Sequence, residues 1–344
     1  ATQFRHWRTG KVLAQSPLGQ AVQSRYGAPY YHMHRGDLMA ALLAAAKQHP
    51  NIELHPGTKA ESFAAEGEQI TLHTSQGVFT GDLLLGADGI HSTVSQQLWG
   101  ASQPSFTGNI AWRALVPAAS LPSGLVRPVT SVWWGPGRHL VHYYVRRGEL
   151  VNCVGVVEKQ GWQVESWTEP GDLAELTADF AGWHSDIQCL LQEVDQSSLY
   201  KWALFDRKPM DNWGQGRVTL LGDACHSTLP FMAQGAAMAI EDAAVLAACL
   251  EQGSDVATAL QGYEALRRTR TRSVQLGSRR NASLFHLSGI RAWLRNRAAR
   301  SASGRSMDRL FRYDALGQEM PLALAASSGE TARPSNSTSN GAKR

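Results

Sequence analysis

From Met33 onward apolar and polar positions fall into regular periods, whereas residues 1–27 follow none and predict turns and loop. Asp37 followed by the apolar run 38–46 predicts a short buried helix with Asp37 as its N-cap, and Ile52-Glu53-Leu54 predicts a β-like stretch. Residues 69–74 alternate, Ser75-Gln76-Gly77 reads as a turn, and Val78-Phe79-Thr80 returns, so a hairpin is expected. Asp82-Leu83-Leu84-Leu85-Gly86 is a continuous apolar run of the type buried in a parallel sheet.

Between residues 111 and 157 a two-residue period dominates. Runs at 131–134, 139–145 and 150–157 are separated by Gly135-Pro136-Gly137 and Arg147-Gly148, which predicts an antiparallel sheet inserted into an α/β context. On the middle run His139, Val141 and Tyr143 share one face, and Leu140, His142 and Tyr144 the other. Residues 171–194 predict helix, 217–222 a second buried strand, 234–252 a long apolar helix, and 255–312 arginine-rich helix. The polar residues 327–344 are expected to be a disordered tail.

Composition narrows the class. At 344 residues with 43% hydrophobic and 18% charged positions, the chain has material for two packed modules, which excludes stapled mini-scaffolds and disordered or collagen-like chains. Lys+Arg exceed Asp+Glu by 33 to 29, a net +4 that singles out no polyanionic partner. Cys153, Cys189, Cys225 and Cys249 form no C-x-x-C pair, which suits reduced thiols better than disulfides or zinc. No apolar run reaches the roughly 18 residues of a membrane span, and no basic-then-apolar leader is present, so a cytoplasmic protein without a membrane partner is expected. G-x-S-x-G and G-x-x-x-x-G-K-[ST] are both absent, which disfavours serine-hydrolase and P-loop chemistry.

Two segments carry candidate chemistry. In the first, Leu220-Leu221-Gly222-Asp223 leads through a loop with Pro230 into Gln234-Gly235-Ala236 at the head of an apolar helix. A carboxylate at a strand's C-terminal end can accept hydrogen bonds from sugar or ribityl hydroxyls, and a helix N-terminus offers N–H groups to negative charge. Small residues at 235 and 236 let a flat ring approach the backbone. An ordinary strand-loop-helix with a solvated Asp fits the same spacing. The second segment is the Gly86-Ala87-Asp88-Gly89 turn, also after an apolar strand, where a plain tight turn is the simpler alternative. Upstream, Arg35 stands at a helix entrance and could clamp a pyrophosphate. His32-x-His34 lacks a third ligand cluster, and no metal site is expected.

In this order and separation the three segments resemble the single-component (class A) FAD-dependent aromatic hydroxylases, of the salicylate hydroxylase and 3-hydroxybenzoate 6-hydroxylase kind. Further matching stretches are Ala111-Trp112-Arg113-Ala114-Leu115-Val116-Pro117, Trp133-Trp134-Gly135-Pro136-Gly137-Arg138-His139, Ala203-Leu204-Phe205-Asp206-Arg207 and Tyr263-Glu264-Ala265-Leu266-Arg267, and the likeness spans about residues 11–316. The resemblance implies an α/β fold: a three-layer, Rossmann-like FAD-binding domain with an inserted antiparallel substrate sheet and C-terminal helices. The implied division is 1–105 and 206–265 for the FAD-binding domain, 106–205 for the sheet, 266–326 for C-terminal helices and 327–344 for the tail. It further implies FAD as cofactor, NADH or NADPH as co-substrate, a small phenolic aromatic acid as substrate, and is compatible with a homodimer.

By the same resemblance Gly222 and Asp223 would bind the ribityl and pyrophosphate region, supported by Arg35, and Asp88 with Gly89 would serve FAD and the pyridine nucleotide. Pro230 would sit beside the flavin, and Gln234, Gly235 and Ala236 would face its N1–C2 edge. The sheet would roof the substrate, with Trp133 and Tyr143 flanking the ring and either histidine of the middle strand, His139 or His142, helping to deprotonate the phenol, His139 being the catalytic candidate. Two departures stand out. Val94 is followed by Ser95 where the family has Arg, and no G-x-G-x-x-G fingerprint occurs, so an N-terminal βαβ unit is expected to be missing. On that ground these residues by themselves are expected to hold FAD weakly, as a catalytically silent remnant. A third reading, a nucleic-acid binder, rests on thirteen arginines against one acid, Asp308, between positions 267 and 312.

Overall fold

The computed structural model describes residues 1–100, 103–162, 164, 169–301 and 305–318; the expected tail at 327–344 lies outside them. Strands β1 (Thr2–His6) and β2 (Val12–Ser16) are followed by helices α1 (Gln20–Tyr26) and α2 (Arg35–Gln48). Then come β3 (Ala60–Glu66), β4 (Gln69–Thr74), β5 (Gly77–Gly81), β6 (Leu84–Gly86) and α3 (Thr93–Trp99). Long strands β7 (Ser105–Pro117), β8 (Thr130–Gly135), β9 (Arg138–Val145) and β10 (Leu150–Glu158) precede α4 (Leu173–Asp179) and α5 (Ser185–Gln192). Strands β11 (Tyr200–Asp206) and β12 (Val218–Leu220) lead into α6 (Asp223–His226), α7 (Gly235–Gln252), α8 (Val256–Phe285), α9 (Gly289–Ser301) and α10 (Arg305–Phe311).

Seven strands form one sheet in the order β11-β7-β10-β9-β8-β1-β2. The run expected from the two-residue period is its antiparallel centre, and β1 adds to it in parallel with β8. The opening residues are therefore strands, not the expected loop. Their periodicity is masked because β1 turns Gln3 and Arg5 inward rather than apolar residues. Arg5 donates to the Gln3 side-chain oxygen at 2.9 Å and to the Gly10 carbonyl at 3.3 Å and lies over the Trp133 ring at 5.3 Å, while its buried Nε has no partner among the described residues.

The sheet has two apolar faces. Trp112, Trp133, Leu140 and Val151 pack beneath α4 and α5 against Phe180, Ile187 and Leu190. On the opposite face Ala111, Val132, Trp134 and Val156 meet Leu229, Phe231 and Phe285. A further core, around Trp213, Leu220, Val245, Leu246 and Tyr263, binds α7 and α8 to β12. β12 pairs in parallel with β6, Leu220 opposite Gly86. A Cβ at Gly86 would come within 2.8 Å of Leu220 and of Val94, so glycine is what lets β6, β12 and α3 close on one another.

Three local expectations are corrected. α2 forms where the apolar run stands, yet none of its residues is buried and Met39 is 64% exposed. Asp37 is its third residue, not its cap; His34 occupies that position, and Asp37 instead takes two hydrogen bonds from Arg146, at 2.8 and 2.6 Å. Residues 52–54 are an exposed loop without strand pairing.

Candidate active site

Because β6 and β12 run side by side, the Asp88-Gly89 and Gly222-Asp223 turns emerge together at the carboxyl ends of adjacent parallel strands, where open α/β sheets bind ligands. Gly222 has φ 63° and begins α6, and its N–H donates to Asp242 at 3.0 Å. Asp242, fully buried on α7, also meets His226 at 2.5 Å and receives the Arg267 Nε–H at 2.7 Å. Burial pushes the Asp242 carboxyl up, but His226 and Arg267 more than offset it and hold the group below its ordinary range. The turn is thus fixed from behind by an ionic network spanning α6, α7 and α8. Asp223 itself faces outward, its carboxyl raised by the surrounding protein and opposed by His226 and Arg35.

The chain then makes one tight turn at Pro230–Met232, passes through Ala233 in the left-handed region at φ 52°, and enters α7 at Gly235. Gln234 caps that helix without a side-chain bond, leaving its first N–H groups outward beside exposed Ala236. The Ser227 Oγ and Thr228 Oγ1 are buried with no hydrogen-bond partner among the described residues. A Cβ at Gly235 would touch only Thr228, at 3.5 Å, and one at Gly89 would meet nothing within 4 Å. Pro230 is exposed, while the adjacent Phe231 is buried.

The inner sheet face supplies the other wall. Arg113, Val154 and Val141 lie directly across from one another on β7, β10 and β9, with His139 and Tyr143 flanking Val141. Arg113 lies over the Trp202 ring at 4.9 Å; its buried Nε has no partner among the described residues, and burial together with Arg35 lowers its basicity while Tyr143 raises it. Tyr143 stands 4.6 Å from the His32 ring, its phenol raised by burial and opposed by Arg113. His139 packs 5.1 Å from Phe231 and 5.2 Å from Phe285, and burial followed by His286 pushes its imidazole well below the usual range. Trp133 is corrected: it points to the opposite face, where its Nε1–H donates to His142 at 3.0 Å.

Asp88 is engaged locally, accepting the N–H groups of Thr93 at 2.7 Å and Val94 at 3.3 Å at the head of α3. Where Ser95 replaces the expected Arg, Arg207 reaches in, donating to the Ile90 carbonyl at 2.6 Å and to the Ser95 hydroxyl at 3.4 Å. Arg113, Asp242 and Arg207 were not singled out from sequence as site residues; Arg113's place on the His139 face follows only from strand register. A cavity of about 270 Å³ beside Trp7, Trp134 and Trp293 lies apart from both turns and is lined by no carboxylate. The arginines of α8 are largely matched by acids, most of them from other elements: Arg267 and Arg270 by Glu241, Arg272 by Asp211 and Arg279 by Asp206, with Arg268 paired to Glu264 within the helix.

The chain belongs to the class A FAD-dependent aromatic hydroxylases. Residues 10–276 match the family described as FAD binding domain. It is 39% identical to a 6-hydroxynicotinate 3-monooxygenase of Bordetella bronchiseptica, over 81% of this chain and 73% of that protein. It is 35% identical to a 3-hydroxybenzoate 6-hydroxylase of Klebsiella oxytoca, over 83% and 72%. Klebsiella pneumoniae HpxO, solved with FAD and uric acid, superposes with a TM-score of 0.78 at 27% identity, covering 90% of this chain and 77% of that one. The fold is accordingly the α/β FAD-binding architecture with an antiparallel sheet, and the enzyme is an FAD-dependent monooxygenase. Among the described residues no helix is long and apolar enough to cross a membrane.

The residues present fit the cofactor. The outward N–H groups of α7, the orphaned Ser227 and Thr228 hydroxyls, the outward Asp223 carboxylate and the open backbone at Gly235 form a donor and acceptor set for a flat, polar-edged ring with a hydroxylated tail.

Proposed function

We propose that this enzyme hydroxylates a small aromatic acid carrying a ring hydroxyl, of the hydroxynicotinate or hydroxybenzoate class, using NADH or NADPH. The observation that carries this reading is a single sheet face bearing a cation, an imidazole and a phenol, Arg113, His139 and Tyr143, opposite the Pro230–Met232 turn. Bound FAD supplies electron transfer from the nicotinamide and activation of O₂. In this reading Asp223 and the Gly222 turn hold the ribityl chain, Arg35, Asp88 and Gly89 attend the phosphates and the nicotinamide cofactor, and Gln234, Gly235 and Ala236 present N–H groups to the ring edge. Pro230 closes the site against water. Arg113 receives the substrate carboxylate, since a stacked guanidinium with an unfilled donor suits a carboxylate. Tyr143 orients the ring hydroxyl and His139 takes its proton. The division into an FAD-binding part, a substrate sheet and C-terminal helices accompanies this proposal, with β1 and β2 assigned to the sheet; so do a cytoplasmic location and a homodimer.

The test is a titration followed by turnover. Flavin fluorescence measures FAD affinity, and a colourless preparation would bear out weak cofactor binding by these 344 residues alone. With FAD supplied, NAD(P)H oxidation should be stimulated by 6-hydroxynicotinate or 3-hydroxybenzoate and yield hydroxylated product. Arg113→Gln should raise KM for the acid at least tenfold and leave the matching hydroxypyridine or phenol unaffected, as loss of a charged hydrogen bond predicts. Oxidation indifferent to every such acid would refute the proposal.

A further inference from the structure

His139 is the inner end of a chain of side chains that crosses the rim of the sheet. Its Nδ1 lies 2.8 Å from the Nε2 of His286, and the Nδ1 of His286 lies 2.9 Å from the Glu158 carboxylate. His139 and His286 are buried, whereas the Glu158 side chain is 56% exposed. Backbone bonds tie two of these positions together: Gly137, in the β8–β9 turn, donates to the His286 carbonyl at 3.0 Å and accepts from the Glu158 N–H at 2.9 Å.

The carboxylate end determines the protons. An ionised Glu158 only accepts, so the facing Nδ1 of His286 carries hydrogen. Burial, Arg295 and Arg138 all favour a neutral His286, against the attraction of Glu158, and its pKa is lowered on balance. Neutral His286 then presents a lone pair at Nε2, which requires hydrogen on Nδ1 of His139. The remaining nitrogen of His139, Nε2, is left as the bare, basic one. Phe231 and Phe285 pack against the His139 ring, and Trp134 and Val156 stand directly across from it on the neighbouring strands; none of these titrates.

We infer that Glu158 and His286 are positioning residues that hold His139 in the Nδ1–H tautomer, and that they form the route by which the substrate's hydroxyl proton leaves the buried site. This rests on the proposed role of His139 as proton acceptor. The step balances without any redox partner. The substrate O–H bond breaks, its electron pair stays on oxygen, and Nε2 of His139 gains the proton. The Nδ1 proton then moves to Nε2 of His286, whose own Nδ1 proton passes to Glu158 and from there to water.

The tautomer is read directly by nitrogen-15 NMR of the histidine-labelled 344-residue protein, with or without FAD. Wild type should show His139 protonated at Nδ1 at pH 7. Glu158→Leu should convert it to a mixture or to the Nε2–H form. Glu158→Gln, which keeps an acceptor but conducts no proton, should preserve the tautomer yet slow acid-stimulated turnover at least tenfold, with a shifted acid limb in its pH profile. His139 protonated at Nε2 in wild type, or a tautomer indifferent to Glu158→Leu, overturns the inference even if the enzyme hydroxylates its acid. Absence of any acid-stimulated turnover in wild type refutes the proposed reaction instead, and the NMR result still decides the proton chain. Should Glu158→Leu not fold, as judged by circular dichroism, the wild-type tautomer alone settles the matter.

Discussion

His142 shows how far a single position can be read from alternation and where that reading stops. The two-residue period assigns it correctly to the face opposite His139, but not its consequence for stability. There it accepts the Trp133 indole N–H, its Nδ1 is buried without a partner among the described residues, and burial followed by Arg5 pushes its imidazole down to about 4. The folded state therefore resists protonation while the unfolded chain, at the ordinary value of 6.5, accepts it. The unfolded state binds more protons below that value, so stability is full above pH 6.5 and is lost as pH falls toward 4. A displacement of that size corresponds to about 3 kcal/mol. Urea unfolding between pH 7 and pH 4 should show the loss, and His142→Gln, whose carbonyl can still accept from Trp133, should flatten the slope by about that amount. An unchanged slope would place the acid sensitivity elsewhere. At β1 the same alternation fails, because the inward positions are Gln3 and Arg5, whose mutual hydrogen bond substitutes for apolar character.

At the scale of elements, the strand-turn-helix unit around Gly222 was legible because a buried strand, a glycine turn and an apolar helix leave a strong local pattern, whereas at Asp88 only the strand and turn were: α3 was not expected, and β6 is shorter than its apolar run, with Leu85 41% exposed. The mutual placement of the two turns follows from parallel pairing of β6 with β12. Asp242 was not legible: within Glu241-Asp242 it reads as part of a charged helix face, and only the packing of α8 over α7 buries it against Arg267. The reverse error occurs in α2, whose apolar run looks like core yet remains exposed. Removing Asp242 would leave the fully buried Arg267 with Glu241 as its remaining carboxylate partner, at 2.7 Å, and would deprive the Gly222 N–H of its acceptor. Breaking such a pair costs about 3–5 kcal/mol. Asp242→Ala should lose stability on that scale in urea denaturation, and Asp242→Asn, which keeps the acceptor, less. If both variants unfolded at the wild-type midpoint, the network would be dispensable for the turn that carries Asp223.

For the whole molecule, the proposed site lies along a seam where the inner sheet face meets the Pro230 turn and the end of α8. Sequence periodicity identifies apolar faces but not which faces meet, since that depends on contacts between residues from about fifty to about a hundred and fifty positions apart. Phe285 is the clearest instance: it ends a 30-residue helix, yet packs 5.3 Å from Trp134, 5.2 Å from His139 and 6.2 Å from Phe231. It also precedes His286, so the packing that joins the sheet to α8 fixes the His139 contact. Phe285→Ala should therefore cost about 3 kcal/mol of stability, the lower end for a buried phenylalanine because 9% of it remains exposed. It should also disturb the His139 imidazole signals. Leu276→Ala, on the same helix but 47% exposed, should stay within about 0.5 kcal/mol of wild type. Chemical unfolding followed by far-ultraviolet circular dichroism separates the two cases. Equal costs for both variants would mean that α8 is held by its helix rather than by the seam, and that His139 owes its position to the sheet alone.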